Sequence, residues 1–510
     1  MANTQQPTSS SPADPAGDFP VWLKWAMPAF ILACAVVMRL AGLDKSLWVD
    51  EANSFGQAHA KDFIATARIY EHPPLYYALL RVGLHLTQSL TLLRLLSVAC
   101  GLGTVTVFCF FFGRHYRLAG WCAALLLAAS PGFVRNSQEL VPYALLSLEL
   151  SLALAFAWRV VRAPQTTAAL VGLACALAAA ACTHLITIFF IAALVATMGW
   201  NLRHERPAIL IRIACAFVPA MLFVWFFKSV FLLRTVKSPE LWWIPPVSPG
   251  LLRQVFSEDM GWNALAWLAE ACDRHLAGAG GIFLVVSALG AAFVVWTAWG
   301  RPLAGAAHHL LETALIYWIL LIGYSLAVLP LVWPRMMLPG MLPFLLGLGL
   351  GVATHPCARQ RAMAVATIIL LALAMMVPWL RGLAFQPTED LRGFTSALQR
   401  NTHPSDLLIM INGVEISFEP YWPGYKQSTI LKLELQDPLP SLLASVQTAH
   451  ARQPAGSAVL LVYRADAYVA LKSAALKAIA TQLSAGHASP EKLWDKNAYC
   501  ILRFHAAPRD

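Results

Sequence analysis

Charge is scarce in this chain. Of its 510 residues only 13% are Asp, Glu, Lys or Arg, while 58% are hydrophobic. Soluble domains carry roughly 25% charged residues, so a water-soluble globular protein is excluded and a polytopic membrane protein is indicated. Metal-type cysteine spacing is missing too. Ten cysteines are present, but no CxxC or Cys/His ligand pattern occurs, which supports neither a zinc site nor a disulfide framework. Cys34, Cys100, Cys109, Cys122, Cys175, Cys182 and Cys215 lie within apolar runs, where cysteine behaves as a small hydrophobe. There is no nucleotide-binding glycine loop and no internal repeat. Paired interrupted helices in matching halves, the usual pointer to a transporter, are also absent. The net charge is +10, with the basic residues scattered singly. An excess without a basic cluster gives nucleic-acid binding no footing and is better explained by membrane orientation.

What the chain has in abundance is long apolar runs. A crossing needs about 20 such residues, and eleven stretches qualify: 21–41, 91–112, 118–135, 142–161, 166–182, 184–200, 208–231, 279–299, 310–331, 336–354 and 361–382. The stretch 74–89 is short and broken by Arg81, His85 and Gln88, so it is expected to lie along the interface. Charge tests that choice. With a cytoplasmic N-terminus and no crossing at 74–89, Arg114/Arg117, Arg159/Arg162, Arg203/Arg206, Arg301 and Arg359/Arg361 all fall in loops on one side. That is the pattern of short cytoplasmic loops. A crossing at 74–89 would put these arginines on alternating sides.

The expected fold is therefore an α-helical polytopic membrane protein of about 11 transmembrane helices. Its N-terminus is in and its C-terminus out, and the membrane domain is 21–382. Residues 1–20 read as a disordered tail. The first span is too long for a signal-peptide core and lacks a clean cleavage site, so it should remain as an anchor. Outside lie a loop 42–90 with a juxtamembrane helix, a loop 232–278, and a C-terminal segment 383–510. That segment has 12 Lys/Arg against 11 Asp/Glu. Strand-like runs at Leu407–Ile411, Ala458–Tyr463 and Ile501–Phe504 with helical stretches between them, such as Tyr468–Leu483, predict a small α/β domain.

Three constellations on the outer side carry possible chemistry. Asp50-Glu51, in Leu47-Trp48-Val49-Asp50-Glu51, puts two carboxylates just beyond the first span, where acids near a bilayer are costly unless they have a task. As neighbours they cannot share one helix face, so one can point into a site while the other holds the loop. The bland alternative is a solvated or helix-capping pair. His72-Pro73-Pro74-Leu75-Tyr76-Tyr77 restricts the backbone and can aim the His72 imidazole at a fixed point, or can simply make a turn. Gln138-Glu139-Leu140-Val141-Pro142-Tyr143 supplies Glu139, a second outer carboxylate that a capping role explains equally well. In Trp333-Pro334-Arg335 the arginine either snorkels or holds a lipid phosphate. Weaker candidates are His184, read as a structural histidine at a span boundary, and His308-His309, read as a solvated cytoplasmic cap. Lys228, Arg234 and Lys237 either line or flank the outer vestibule.

These pieces resemble the C-type membrane glycosyltransferases, in particular bacterial relatives of the protein O-mannosyltransferases and of the lipid A aminoarabinose transferase. The resemblance rests on Leu47–Glu51, His72–Tyr77, Arg94-Leu95-Leu96-Ser97, Gln138-Glu139 with Pro142-Tyr143, Trp243 with Pro245-Pro246, and Pro334-Arg335 with Pro339, all in family order. It implies an inner-membrane, multi-pass enzyme with a periplasmic active site. Such an enzyme takes a sugar from a polyprenyl phosphate and passes it to a periplasmic-side protein, lipid or glycan. It implies Asp50 as general base with Glu51 supporting, and His72 and Arg335 on the donor phosphate. Glu139, Tyr76, Tyr143 and Trp243 become substrate-binding candidates. Relatives commonly carry an arginine two residues after the second acid, where this chain has Val141. The segment 383–510 has no matching motif.

The implied reaction is inverting. Asp50 takes the proton of the attacking hydroxyl, and the departing polyprenyl phosphate, an anion of low basicity, needs cations more than an acid. No cofactor is required by this scheme. A divalent cation would be held only if Asp50, Glu51, Glu139 and His72 converge. Two other readings stay open. An oligosaccharide ligase or polymerase using a polyprenyl diphosphate would want a longer, more arginine-rich late outer loop than 232–278. A lipid-sugar transporter would want ionisable residues at mid-span, whereas the charges here gather at span ends.

Overall fold

The structure is a computed structural model, and it describes residues 20–64, 66, 72–229, 244–274, 276, 278–299, 305–380, 389–411, 414, 420–433, 437–454, 456–464, 473–484, 490–496 and 499–505. The chain divides into two compact units. The first contains Met1–Leu43, Ala67–Val236 and Ile244–Phe385, and the second contains Asp44–Thr66, Lys237–Trp243 and Gln386–Asp510.

The described part of the first unit is helical. Eight of its helices are long and apolar enough to cross a membrane: Val21–Leu40, Leu90–His115, Tyr143–Arg162, Pro207–Phe227, Ala279–Ala298, Ala307–Ala327, Pro334–Ala353 and Ala358–Val377. Three further expected spans fall on shorter pieces. Arg117–Ala129 and Pro131–Ser137 form a pair bent by 65°, and Thr167–Thr183 and Thr187–Asn201 are apolar but short. The bend follows from sequence: Pro131 opens the second helix and lacks the N–H that would continue the first. Proline likewise starts Pro207–Phe227, Pro249–Asp259 and Pro334–Ala353, the position where its missing donor costs nothing.

The Pro334–Ala353 helix is the axis of this unit, with 94% of its apolar window buried. Its glycines let other helices approach. A Cβ on Gly349 would lie 2.5 Å from the Ala119 carbonyl oxygen, and one on Gly351 would lie 2.6 Å from the Ala298 Cα. Such close packing of small residues is what joins helices inside a bilayer, where burial of apolar surface gives no gain. The start of the helix is pinned from the Gly305–Ala327 helix. Tyr317 Oη donates to the Met336 carbonyl at 2.5 Å and Trp318 Nε1 to the Met337 carbonyl at 3.2 Å. Arg335 therefore stands at a fixed place.

Buried polar groups at the ends of other helices find backbone oxygens. Gln138 Nε2 donates to the Met38, Arg39 and Ala41 carbonyls at 2.9, 3.3 and 2.7 Å, satisfying the open C-terminus of the first helix. Arg94, fully buried, donates to the Leu43 carbonyl at 2.8 Å. The 74–89 stretch forms a helix at Leu75–Leu86 with two apolar faces. Tyr76, Tyr77, Leu80 and Leu84 are buried, while Leu79, Val82 and Leu86 are exposed at helical spacing. An exposed apolar line on an amphipathic helix is suited to contact with lipid.

The second unit is built on a five-stranded sheet of order β2-β1-β3-β5-β4, with β1 Leu407–Ile411, β2 Thr429–Leu433, β3 Val459–Arg464, β4 Glu491–Lys496 and β5 Tyr499–Phe504. β1 runs parallel to β2 and β3, and β5 antiparallel to β3 and β4. Leu407, Ile409 and Ile411 face one core with Val459, Leu461 and Phe504, as the two-residue period of a strand requires. Leu442 and Val446 of the Leu439–Ala451 helix and Ile479 and Leu483 of the Ser473–Ser484 helix close that core. The Leu391–Arg400 helix sets Phe394 against Tyr499, with ring centroids 4.8 Å apart. The helix Val49–His59, which carries Asp50 and Glu51, belongs to this unit and not to the apolar bundle.

Candidate active site

In the second unit, Asp50 and Glu51 occupy the first turn of the Val49–His59 helix, where acids are favoured by the helix dipole. Their environments differ. Glu51 is fully buried and Asp50 only half-buried. Neither is the cap: the N-cap is Trp48, whose side chain makes no capping hydrogen bond. The Val49 N–H instead donates to Glu389 Oε2 at 2.9 Å, a carboxyl 340 residues further along the chain. Glu389 is itself held from the sheet. Arg464 Nη2 donates to its Oε1 at 2.8 Å and Tyr499 Oη to its Oε2 at 3.3 Å. Arg464 and Tyr499 lie directly opposite each other on β3 and β5, so their side chains share one face. Burial raises the Glu389 carboxyl above its ordinary value and the Asp50 charge adds to the rise, while the Arg464 guanidinium, the Val49 N–H and the Tyr499 hydroxyl oppose it.

In the first unit, rings and a guanidinium form a continuous row. The His72 ring lies 6.1 Å from that of Tyr77 and 6.1 Å from that of His184. His184 is 5.3 Å from the Tyr143 ring, over which Arg335 sits at 5.6 Å. His72 is exposed, whereas His184 and Arg335 are buried. His184 Nδ1 accepts the Ile186 N–H at 3.1 Å, so the neutral ring carries its proton on Nε2. That buried Nε2 has no hydrogen-bond partner among the described residues, a deficit of about 1–3 kcal/mol for a neutral donor. The row brings together two histidines, a tyrosine and an arginine, side chains that can donate hydrogen bonds.

The other expected site residues have plainer surroundings. Glu139 is 2% exposed, with Oε1 accepting from Arg135 Nε at 3.0 Å. Tyr76 is buried and shares a 3.0 Å hydrogen bond with Ser97, which ties the Leu75–Leu86 helix to its successor. Trp243, Arg234 and Lys237 lie outside the described residues. His308 and His309 both pair with Glu312, at 2.9 and 3.0 Å. Among the described residues no group of three or more His, Cys, Asp or Glu side chains is placed to hold a metal ion. The hydrogen bond of Glu389 to Val49 and the ring contacts of His184 are features of the fold that the sequence does not display. An acid pair, Glu389-Asp390, follows the last apolar run as Asp50-Glu51 follows the first.

The fold is that of a solved membrane-protein structure, ArnT. The crystal structure of ArnT from Cupriavidus metallidurans in the apo state superposes with a TM-score of 0.60 at 13% identity, covering 93% of this chain and 97% of that one. The same protein bound to undecaprenyl phosphate gives 0.53, at 13% identity and with 94% and 97% covered. Neither a family model nor a curated protein sequence matches the chain.

Proposed function

We propose that the protein transfers a sugar from a polyprenyl-phosphate carrier to a hydroxyl-bearing acceptor on the periplasmic side of the bacterial inner membrane, with inversion at the anomeric carbon. The observation that carries the reading is the row His72–His184–Tyr143–Arg335, found on a fold that in ArnT accommodates undecaprenyl phosphate. In this reaction Asp50 takes the proton of the acceptor hydroxyl as its oxygen attacks the anomeric carbon. The bond to the carrier phosphate breaks and the phosphate departs as an anion. Arg335, His72 and the Nε2–H of His184 stabilise that anion by charge-assisted hydrogen bonds. Glu51 supports the acid-bearing helix. Glu139, Tyr143 and Trp243 contribute to substrate binding. No step is routed through a metal.

We read residues 42–90 and 383–510 as periplasmic because the short loops on the other side are rich in arginine, and we take the two shorter apolar helices as crossings alongside the eight long helices and the bent pair.

Two measurements test the proposal. The full-length protein in detergent is titrated with undecaprenyl phosphate alone, and the combined replacement His72→Ala with Arg335→Ala is expected to abolish saturable binding. Release of undecaprenyl phosphate from lipid-linked sugars extracted from the native membrane is then followed, and Asp50→Asn is expected to stop it while binding persists. Equal binding by the double replacement would refute the phosphate assignment.

A further inference from the structure

We propose that Glu389 is a positioning residue for Asp50, and that fixing the acid-bearing helix is a function of the segment after the last span. The inference rests on the reading of Asp50 as the general base. Val49 is the first residue of its helix, and an N–H there has no partner within the helix. With Trp48 not capping, Glu389 Oε2 supplies the acceptor from outside. This is the residue directly before Asp50, so the hydrogen bond fixes both the start of the helix and the direction in which residue 50 leaves it.

The chain leading into the helix is fastened by the same segment. Leu47 N–H donates to Tyr421 Oη at 2.6 Å. Arg392 N–H donates to Ser46 Oγ at 2.9 Å, and Arg392 Nη2 to Asp44 Oδ1 at 2.9 Å. The last of these is a largely exposed ion pair, with side chains 46% and 75% exposed, and such pairs contribute little. Glu389 differs from it in two respects. It is 6% exposed, and it is backed by Arg464 and Tyr499 from paired strands, so it cannot swing away without breaking three hydrogen bonds. A base must be held within a few tenths of an ångström of its working place, and misplacement by about 1 Å costs about 100-fold in rate.

The test compares Glu389→Ala, Glu389→Gln and Val49→Pro in the full-length protein. Val49→Pro removes the donor and leaves the carboxyl. Proline is tolerated at the first helical position, and the extended backbone at Trp48, φ −119° and ψ 173°, accommodates a following proline. The readouts are the saturated rate of undecaprenyl phosphate release from the native lipid extract, the extract concentration giving half that rate, and undecaprenyl phosphate binding to count folded protein. Glu389→Ala and Val49→Pro are expected to lower the saturated rate per binding-competent molecule about 10- to 100-fold. The half-saturating concentration should stay within about two-fold, since His72, His184 and Arg335 are untouched. Combining the two should cost little more than either alone. Glu389→Gln keeps an acceptor for Val49 and should restore most of the rate.

A saturated rate within two-fold of the wild type in both Glu389→Ala and Val49→Pro overturns the proposal. So does a fall in rate and affinity together, the mark of general loosening. Asp50→Asn is run alongside. If it stays active, the base assignment fails and this proposal falls with it. If it is inactive while Glu389→Ala retains full rate, only the positioning role is lost.

Discussion

The two units solve the same problem, a buried polar side chain, in different ways. In the apolar bundle, buried Arg94 and the amide nitrogen of buried Gln138 donate to carbonyl oxygens, groups that every helix end leaves open. In the sheet-bearing unit, Glu389 and Asp406 accept from backbone N–H groups at Val49, His403 and Ala458. In the bilayer, where unpaired charge is expensive, cations are kept on neutral dipoles at the ends of spans. Carboxyl groups serve as fasteners where strands and a helix start need acceptors. Arg335 lies over the Tyr143 ring, and His184 Nε2, like Trp158 Nε1, is buried with no hydrogen-bond partner among the described residues.

Removing Asp50 should break the contrast most severely. Asp50→Asn takes away a proton acceptor and leaves an isostere, and the loss of positioned base catalysis is expected at about 10²- to 10⁴-fold in the saturated rate. Undecaprenyl phosphate titration of the same preparation should be unchanged. A rate within ten-fold of the wild type would move the base elsewhere.

Replacing Arg335 comes next. A charged hydrogen bond is worth about 1.5–3 kcal/mol, so Arg335→Ala should weaken undecaprenyl phosphate binding by about 10- to 100-fold. Arg335→Lys should restore only part, because a point charge lacks the planar fork of guanidinium. Equal affinity for all three proteins, measured by titration at one ionic strength, would leave Arg335 a snorkelling residue. His184→Phe should have a smaller effect. It keeps a ring against His72 and Tyr143 but lacks Nε2–H, and losing one neutral donor, about 0.5–1.5 kcal/mol, should weaken binding about two- to ten-fold. A tighter or unchanged affinity would make His184 a packing residue.

The sequence showed the bundle better than the site, for physical reasons. Long apolar runs are read from composition alone, and the eight long helices fall on runs visible in the sequence. The runs at Leu407–Ile411, Ala458–Tyr463 and Ile501–Phe504 overlap β1, β3 and β5. The partly exposed edge β2, which alternates Thr429-Ile430-Leu431-Lys432-Leu433, carries a weaker apolar signal. What sequence could not supply was pairing across hundreds of residues. Nothing local to Leu47-Trp48-Val49-Asp50-Glu51 announces that its capping acceptor is Glu389, or that Asp44–Thr66 folds with the sheet. The tautomer of His184 likewise depends on a contact with the Ile186 N–H that only the fold creates.

The smallest effect expected is a slope of stability with pH. Burial outweighs Arg464 and the Val49 N–H, so the Glu389 carboxyl stands above its ordinary value in the folded protein. A carboxyl raised on folding stabilises fully below its unfolded-state value of about 4.3. That contribution is lost as the pH rises through the folded-state value, because the native state then holds a proton that the unfolded chain has already released. Each tenfold gain in proton affinity is worth about 1.4 kcal/mol. Thermal unfolding of the wild type and Glu389→Gln between about pH 4 and pH 8 isolates this group, since glutamine does not titrate. The wild type's advantage in melting temperature should shrink steadily across that window. An advantage that grows with pH would mean the Arg464 ion pair outweighs burial, and Glu389 would then hold the Asp50 helix as a carboxylate favoured by folding.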